Sequence, residues 1–234
     1  MTAGSPPERK RTLYGRRQGR KLRPGRAALL DEMLPRLSVP LPAEGAALDW
    51  RGLFPRPVED LWLEVGFGAG EHLAWQAARH RHVGLIGCEP FVNGITTLLR
   101  AVEDMGLDNV RVHAEDARQV IDALPDASLG RCFVLFPDPW PKKRHHKRRF
   151  IRPETLDALA RKMKNGAELR LASDNQPLVD WMLWHVRAHG AFEWMARGPR
   201  DWRERPEDWP PTRYEAKQLH GTPVFLRFRR LPRR

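Results

Sequence analysis

The eighteen residues from Phe133 to Phe150, FVLFPDPWPKKRHHKRRF, constrain this chain more than any others, because they change character three times. The run Phe133 to Phe136 is short, apolar and partly β-branched or aromatic, as expected of a strand covered on both faces in a parallel sheet. Pro137, Asp138, Pro139, Trp140 and Pro141 then end it, since the prolines cannot donate to a ladder of backbone hydrogen bonds. Asp138 is thereby held in a stiff loop at the carboxyl end of a strand, where open α/β sheets bind ligands. Next come Lys142, Lys143, Arg144, His145, His146, Lys147, Arg148 and Arg149, with no acid among them. An isolated charge run usually marks a solvated face. Beside a carboxylate at a strand end, this one reads as a phosphate-seeking segment.

The charge of the whole chain agrees. A net charge of +12 and an isoelectric point near 10.6 favour a polyanionic partner, with nucleic acid ahead of membrane. No run reaches the length of apolar residues that a membrane span needs, and the N-terminus lacks the apolar core of a signal peptide. A cytoplasmic protein is expected. Cys88 and Cys132 both fall in expected strands without a paired ligand spacing, so they read as buried thiols and no metal is expected. At 234 residues the chain suits one well-cored domain with an extension. Residues 1–27, rich in Arg, Lys, Gly and Pro, read as a disordered RNA-contacting arm, and residues 28–234 as the single domain.

Along the chain the pattern predicts a helix over 27–37 and strands at 61–65, 83–88, 110–113, 133–136 and 168–172. Helices are expected over 72–80, 91–105 and 153–164, the last closed by Asn165 and Gly166 as a left-handed cap. Another runs from Pro177 to about His189, and its tryptophans read as core packing rather than base-stacking platforms. Residues 192–196 and 224–228 suggest a closing antiparallel pair around a Trp/Pro/Arg-rich insertion. The fold class is therefore α/β.

Between the first strand and first core helix lies Gly66, Phe67, Gly68, Ala69, Gly70, the arrangement that lets backbone approach a ligand beneath a helix N-terminus. A dinucleotide fingerprint would need its third glycine where Glu71 stands. Glu64, two residues before Gly66, makes the pattern E-x-G-x-G-x-G, which resembles motif I of the class I S-adenosylmethionine-dependent methyltransferases. Glu89 closes the second strand about twenty positions beyond the loop, placed to accept from both ribose hydroxyls. Asp116, just after the third strand, is a candidate acceptor for an adenine amino group.

Taken together, GRRQGRKLRPGR, LEVGFGAGEHL, IGCEPFVNGI, FPDPWPKKRHHKRR and TRYEAKQLHG resemble the bacterial tRNA (guanine-N7)-methyltransferases over nearly the whole chain. The resemblance implies a Rossmann-like fold, with a mostly parallel seven-stranded sheet, helices on both faces and an antiparallel C-terminal pair. It implies methyl transfer from S-adenosyl-L-methionine to N7 of guanine 46 in the variable loop of tRNA. Glu64, Glu89, Asp116 and Asp138 correspond to that family's cofactor-contacting acids, with Asp138 also its catalytic residue. Lys142, Asp174, Thr212, Arg213, Tyr214 and Glu215 correspond to its substrate contacts, Tyr214 standing where many relatives carry phenylalanine. Lys143, Arg144, His145, Lys147, Arg148 and Arg149 would touch RNA. No obligate protein partner is evident, and monomer and homodimer both stay open.

The chemistry can be argued separately. Guanine N7 has an in-plane lone pair and no proton, so alignment rather than a general base is the main requirement. A fixed carboxylate stabilises the cation that develops on the purine. Asp174 or Glu215 would accept from guanine N1 and the exocyclic amine, donors that adenine does not present together. Reaching N7 in stacked RNA implies local opening of the base. Three other readings compete: a methyltransferase for an exocyclic amine, a non-catalytic RNA-binding protein on the same fold, and a nicotinamide oxidoreductase.

Overall fold

The computed structural model describes residues 13–217 and 221–233, leaving out the side chains of residues 214 and 217. Seven strands form one sheet: β1 (Asp60–Val65), β2 (Val83–Cys88), β3 (Val110–His113), β4 (Leu129–Leu135), β5 (Met163–Ser173), β6 (Phe192–Trp194) and β7 (Val224–Arg230). Their order is β3-β2-β1-β4-β5-β7-β6. The first five are parallel, and β7 runs antiparallel to both β5 and β6. The α-helices among the described residues are α1 (Pro24–Leu37), α2 (Glu71–Arg79), α3 (Val92–Asp104), α4 (Ala117–Ala123), α5 (Pro153–Lys162), α6 (Gln176–His189), α7 (Arg200–Arg203) and α8 (Arg213–Lys217). Two apolar clusters flank the sheet: Leu63, Cys132, Leu159, Met182 and Leu226 belong to one, and Leu73, Leu85, Leu98, Val112 and Phe133 to the other. Sequential strands reverse direction of travel across the sheet between β1 and β4, and the crevice at that switch is where such sheets take ligands.

β2 and β3 end where the apolar runs end, and the closing antiparallel pair forms as expected, although β6 stops at Trp194 and β7 continues to Arg230. β4 begins at Leu129, four residues before the expected start. Gly130 breaks the apolar run there because a side chain would collide with the Asp60 carboxylate, 1.8 Å from where its Cβ would sit. Phe136 lies beyond the strand in a left-handed conformation, φ 50°, and its amide still donates to Ala172 O at 2.8 Å.

The expected cap at Asn165 and Gly166 is corrected. α5 ends at Lys162, and both residues belong to the irregular start of β5. Between the pairs Leu129 with Met163 and Arg131 with Glu168, β4 advances two residues while β5 advances five, so the intervening β5 segment bulges. The last carbonyls of α5 are satisfied otherwise: Ala127 N donates to Arg161 O and Ser128 N to Lys162 O.

α4 was not expected, and at the N-terminus α1 starts at Pro24, so residue 27 lies inside a helix. Residues 13–23 lie along the domain: Val92 N donates to Arg17 O, Gly19 N to Asn93 Oδ1, and Arg17 pairs with Glu115. In α6, Leu178, Met182 and Val186 are buried as expected, but Trp181 is half-buried and Trp184 is 66% exposed.

Candidate active site

The glycine loop opens a cavity of about 420 Å³ at the carboxyl ends of β1, β2 and β4. Gly66, Gly68 and Gly70 have φ of 71°, 58° and 78°, left-handed values that favour glycine. A side chain on Gly66 would meet no protein atom within 4 Å, so this backbone faces open space. Gly70 could not carry one without striking Leu98 at 2.7 Å, and a side chain on Gly94 would meet Gly68 O at 2.1 Å. The loop is therefore pressed tightly against α3 on one side and left bare on the other.

Glu89 ties this loop to the next. Its Oε2 accepts from Gly68 N at 2.8 Å and its Oε1 from Phe91 N at 2.9 Å. Burial pushes its carboxyl above the usual carboxylate range, against the pull of those two amides. Glu64 is almost fully buried, with Oε2 2.7 Å from His72 Nδ1. Gln76 Nε2 donates to Asp208 O at 2.8 Å, a carbonyl that can only accept, which fixes the amide's orientation. The same nitrogen faces His72 Nε2 at 3.1 Å, so Nε2 accepts and Nδ1 carries the proton given to Glu64. His72 and Gln76 went unnoticed in the sequence, although their spacing from each other, i and i+4 on the helix after the loop, was visible there.

Asp116 lines the cavity and caps α4: its Oδ1 accepts from Arg118 N at 3.0 Å, and the Arg118 guanidinium pairs with the carboxylate. This accounts for an acid at that position without any ligand, alongside its expected part in adenine recognition.

Asp138 sits at the mouth of the cavity with no hydrogen-bond or ion-pair partner among the described residues. It is open to solvent on one side, yet the atoms packed about it push its carboxyl upward by desolvation. Its loop is held in uncommon geometry, Phe136 at φ 50° and Trp140 at φ 43°. Arg149, expected among the RNA contacts, is buried: its Nε donates to Pro139 O at 3.0 Å, and its guanidinium lies 4.8 Å over Trp181. Arg148 is half-buried, its guanidinium between Tyr14 at 4.5 Å and Trp140 at 4.8 Å. Leu13, Tyr14, Gly15 and Arg16 thus form part of the cavity wall, with a Cβ on Gly15 falling 3.9 Å from Asp138 Oδ2. In the sequence Gly15 and Arg16 open the motif GRRQGRKLRPGR, while Leu13 and Tyr14 gave no sign of this placement.

The basic run forms a 3-10 helix over Lys143–Arg148, with Lys142 just before it. Lys142, Lys143, Arg144 and Lys147 are exposed. His145 is held below the usual imidazole range, by desolvation first and then by Arg148, Arg144, Lys142 and Lys147, so it adds little charge near neutrality.

The remaining expected substrate residues come from two places. Asp174 follows β5 directly, beside the Asp138 loop, which pairs with Ala172. Thr212 lines the cavity and its Oγ1 accepts from Glu215 N, capping α8. Glu215 pairs with Arg205 at 3.2 Å, while Arg213 donates to Glu71 through both its amide and its guanidinium. Tyr214 belongs to α8, and its side chain lies outside the described set. Glu71, the residue that excludes a dinucleotide fingerprint, thus anchors the insertion at the N-terminus of α2. The insertion is also pinned by Asp208 on the buried Arg170, at 2.8 Å, and by Trp209 packed on Phe225.

Comparison with known proteins agrees with this geometry. A family model described as a methyltransferase matches residues 59–225. The tRNA (guanine-N(7)-)-methyltransferase of Rhodospirillum rubrum is 58% identical over 225 residues, covering 94% of this chain and 88% of that protein. The enzymes of that name from Paramagnetospirillum magneticum and Azorhizobium caulinodans are 52% and 46% identical, covering 94% and 99% of this chain and 93% and 100% of theirs. Among solved structures, an rRNA methylase from Streptococcus thermophilus superposes with a TM-score of 0.51 at 12% identity, covering 74% of this chain and 88% of that one, a likeness of fold alone. By sequence along nearly its whole length, the chain belongs to the S-adenosylmethionine-dependent tRNA (guanine-N7)-methyltransferase family.

Proposed function

We propose that this enzyme methylates N7 of guanine 46 in the variable loop of tRNA, in the cytoplasm, with Asp138 as its catalytic carboxylate. One observation carries the reading. A single cavity holds the bare glycine loop, Glu64 and Glu89 in its wall and Asp138 at its mouth, and its rim passes directly into the cationic residues Lys147 and Arg148.

The residues fit the methyl donor. S-adenosylmethionine supplies an electrophilic methyl group on a sulfonium centre. Gly66, with no atom within 4 Å of where a side chain would be, leaves room for the body of that molecule. The oxygens of Glu89 each accept one backbone amide and keep further lone pairs for ribose hydroxyls. Glu64, oriented by His72, presents negative charge beneath the loop.

Asp138 then does two things. Its carboxylate attracts the positive charge that builds on the purine ring as N7 is alkylated, and its rigid loop spends no reorganisation in doing so. Thr212 lines the same cavity, and Asp174 and Glu215 are the acceptors assigned to the Watson–Crick edge of guanine. Lys142, Lys143, Arg144 and Lys147 hold phosphates, which position the RNA without reading its sequence. All of these groups come from one chain.

The test is transfer of labelled methyl from S-adenosylmethionine to unmodified bulk tRNA, followed by digestion to nucleosides. N7-methylguanosine, recognisable by its cationic ring and its lability to alkali and aniline, is the expected product. An exocyclic methylated base would instead establish the competing amine chemistry.

A further inference from the structure

Trp184 is the most exposed of the large apolar side chains among the described residues, and no packing requirement of the fold places it there. The inner face of α6 is made by Leu178, Val179, Met182 and Val186, all buried. A single surface tryptophan would be unremarked by itself. This one ends a continuous track of rings that starts in the basic segment. His146 of the 3-10 helix lies 5.2 Å from Trp181, Trp181 lies 3.9 Å from His185 at a tilt of 32°, and His185 lies 4.7 Å from Trp184. Trp181 is fixed in that track by its Nε1, which donates to Ile151 O at 2.7 Å.

We infer that the outer face of α6, centred on Trp184, is a second tRNA-docking surface on which an unpaired or splayed nucleobase stacks. The proposal rests on tRNA being the substrate and extends the phosphate-binding face beyond the basic run. Charge selects the occupant. The track begins among exposed Lys143, Arg144 and Lys147, and Arg187 stands exposed one turn beyond Trp184. Asp180 is the single acid of α6, and it accepts from Gln176. An exposed indole beside Arg187, joined through a track of rings to the basic segment, suits a base attached to a phosphate backbone, since aromatic faces take any base while cations follow the chain.

Stacking and ion pairing differ in their response to salt, which makes the inference testable. Binding of an unmodified tRNA transcript to the full chain would be measured across a salt series for wild type, Trp184→Ala and Trp184→Phe. Trp184→Ala is expected to weaken binding about 5- to 100-fold with an unchanged salt slope, because it removes stacking and no charge. Trp184→Phe should keep most of the affinity, and S-adenosylmethionine binding and turnover at saturating tRNA should match wild type in both. Wild-type affinity in Trp184→Ala would overturn the inference. So would a loss of affinity that accompanies conversion of a wild-type dimer to monomers in sedimentation, which would assign this face to a second copy of the chain. Failure of the wild-type protein to methylate tRNA would overturn the substrate reading and this inference with it. Methylation by wild type with unchanged binding in Trp184→Ala would overturn this inference alone.

Discussion

At Asp138, the proposed function and stability pull in opposite directions. The surrounding atoms raise its carboxyl pKa by desolvation, so the folded state favours the protonated form. A raised carboxyl contributes stability that is full below the unfolded value and is lost as pH climbs through the folded one. The proposed chemistry needs the opposite, an ionised group. Asp138→Asn should therefore reduce turnover by about 100-fold or more, the scale of removing one preorganised electrostatic contact. Its binding of tRNA should stay within about twofold of wild type. Its thermal midpoint at pH 7 should equal or exceed that of wild type, with any advantage fading as pH falls and wild-type Asp138 takes up its proton. In wild type, the acid limb of the rate profile should lie above the ordinary aspartate value of 3.8. A variant that unfolds earlier at pH 7 would show that the carboxylate supports the loop instead. Asp138 was legible in the sequence because two prolines and a strand end announce its position. The pairing of Asp116 with Arg118, and of Arg213 with Glu71, was not, since each joins groups whose partner choice is set only when a loop closes.

The elements that hold Asp138 are a loop, a 3-10 helix and a strap, and they are joined by cations rather than by apolar burial. Arg149 reaches back to Pro139 O and lies over Trp181 on α6, while Arg148 fills the gap between Trp140 and Tyr14. Two of the eight residues of the apparent phosphate-binding run, both at its C-terminal end, thus serve as internal scaffolding. Arg149→Ala should destabilise the protein by about 1–3 kcal/mol, from one charge-assisted hydrogen bond and one cation–π contact, measured by urea unfolding. Lys143→Ala, on an exposed side chain, should leave the unfolding midpoint unchanged. Equal midpoints in the two variants would remove Arg149 from the scaffold. Composition could not separate these arginines from their neighbours, because burial inside a run of one charge depends on what packs above it. The strands behaved differently. β2 and β3 are bounded by changes of polarity that coincide with their ends, whereas β4 and β5 start at Leu129 and Met163 and run at once through Gly130 and Asn165–Gly166, where strand and turn signals conflict.

Across the whole molecule, the net charge of +12 is not spread evenly in its effect. Many cations are engaged internally: Arg170 with Glu168 and Asp208, Lys162 with Asp126, Lys164 with Asp60, Arg118 with Asp116. Those pairs release no counterions when RNA binds. The exposed side chains of Lys143, Arg144 and Lys147, the last lining the cavity, are the ones proposed to do so. Each phosphate they neutralise should contribute about 0.7–0.9 to the slope of log affinity against log salt. Replacing all three with alanine should flatten that slope by roughly 2–3 and weaken binding most at low salt, leaving turnover at saturating tRNA within about twofold of wild type. Lys162→Ala should leave the slope intact and lower stability instead, because its ammonium is nearly buried and donates to Leu124 O at 2.6 Å. If the two sets of variants changed the salt slope alike, the division between internal cations and an RNA-facing set would fail, and affinity would follow total charge rather than its placement.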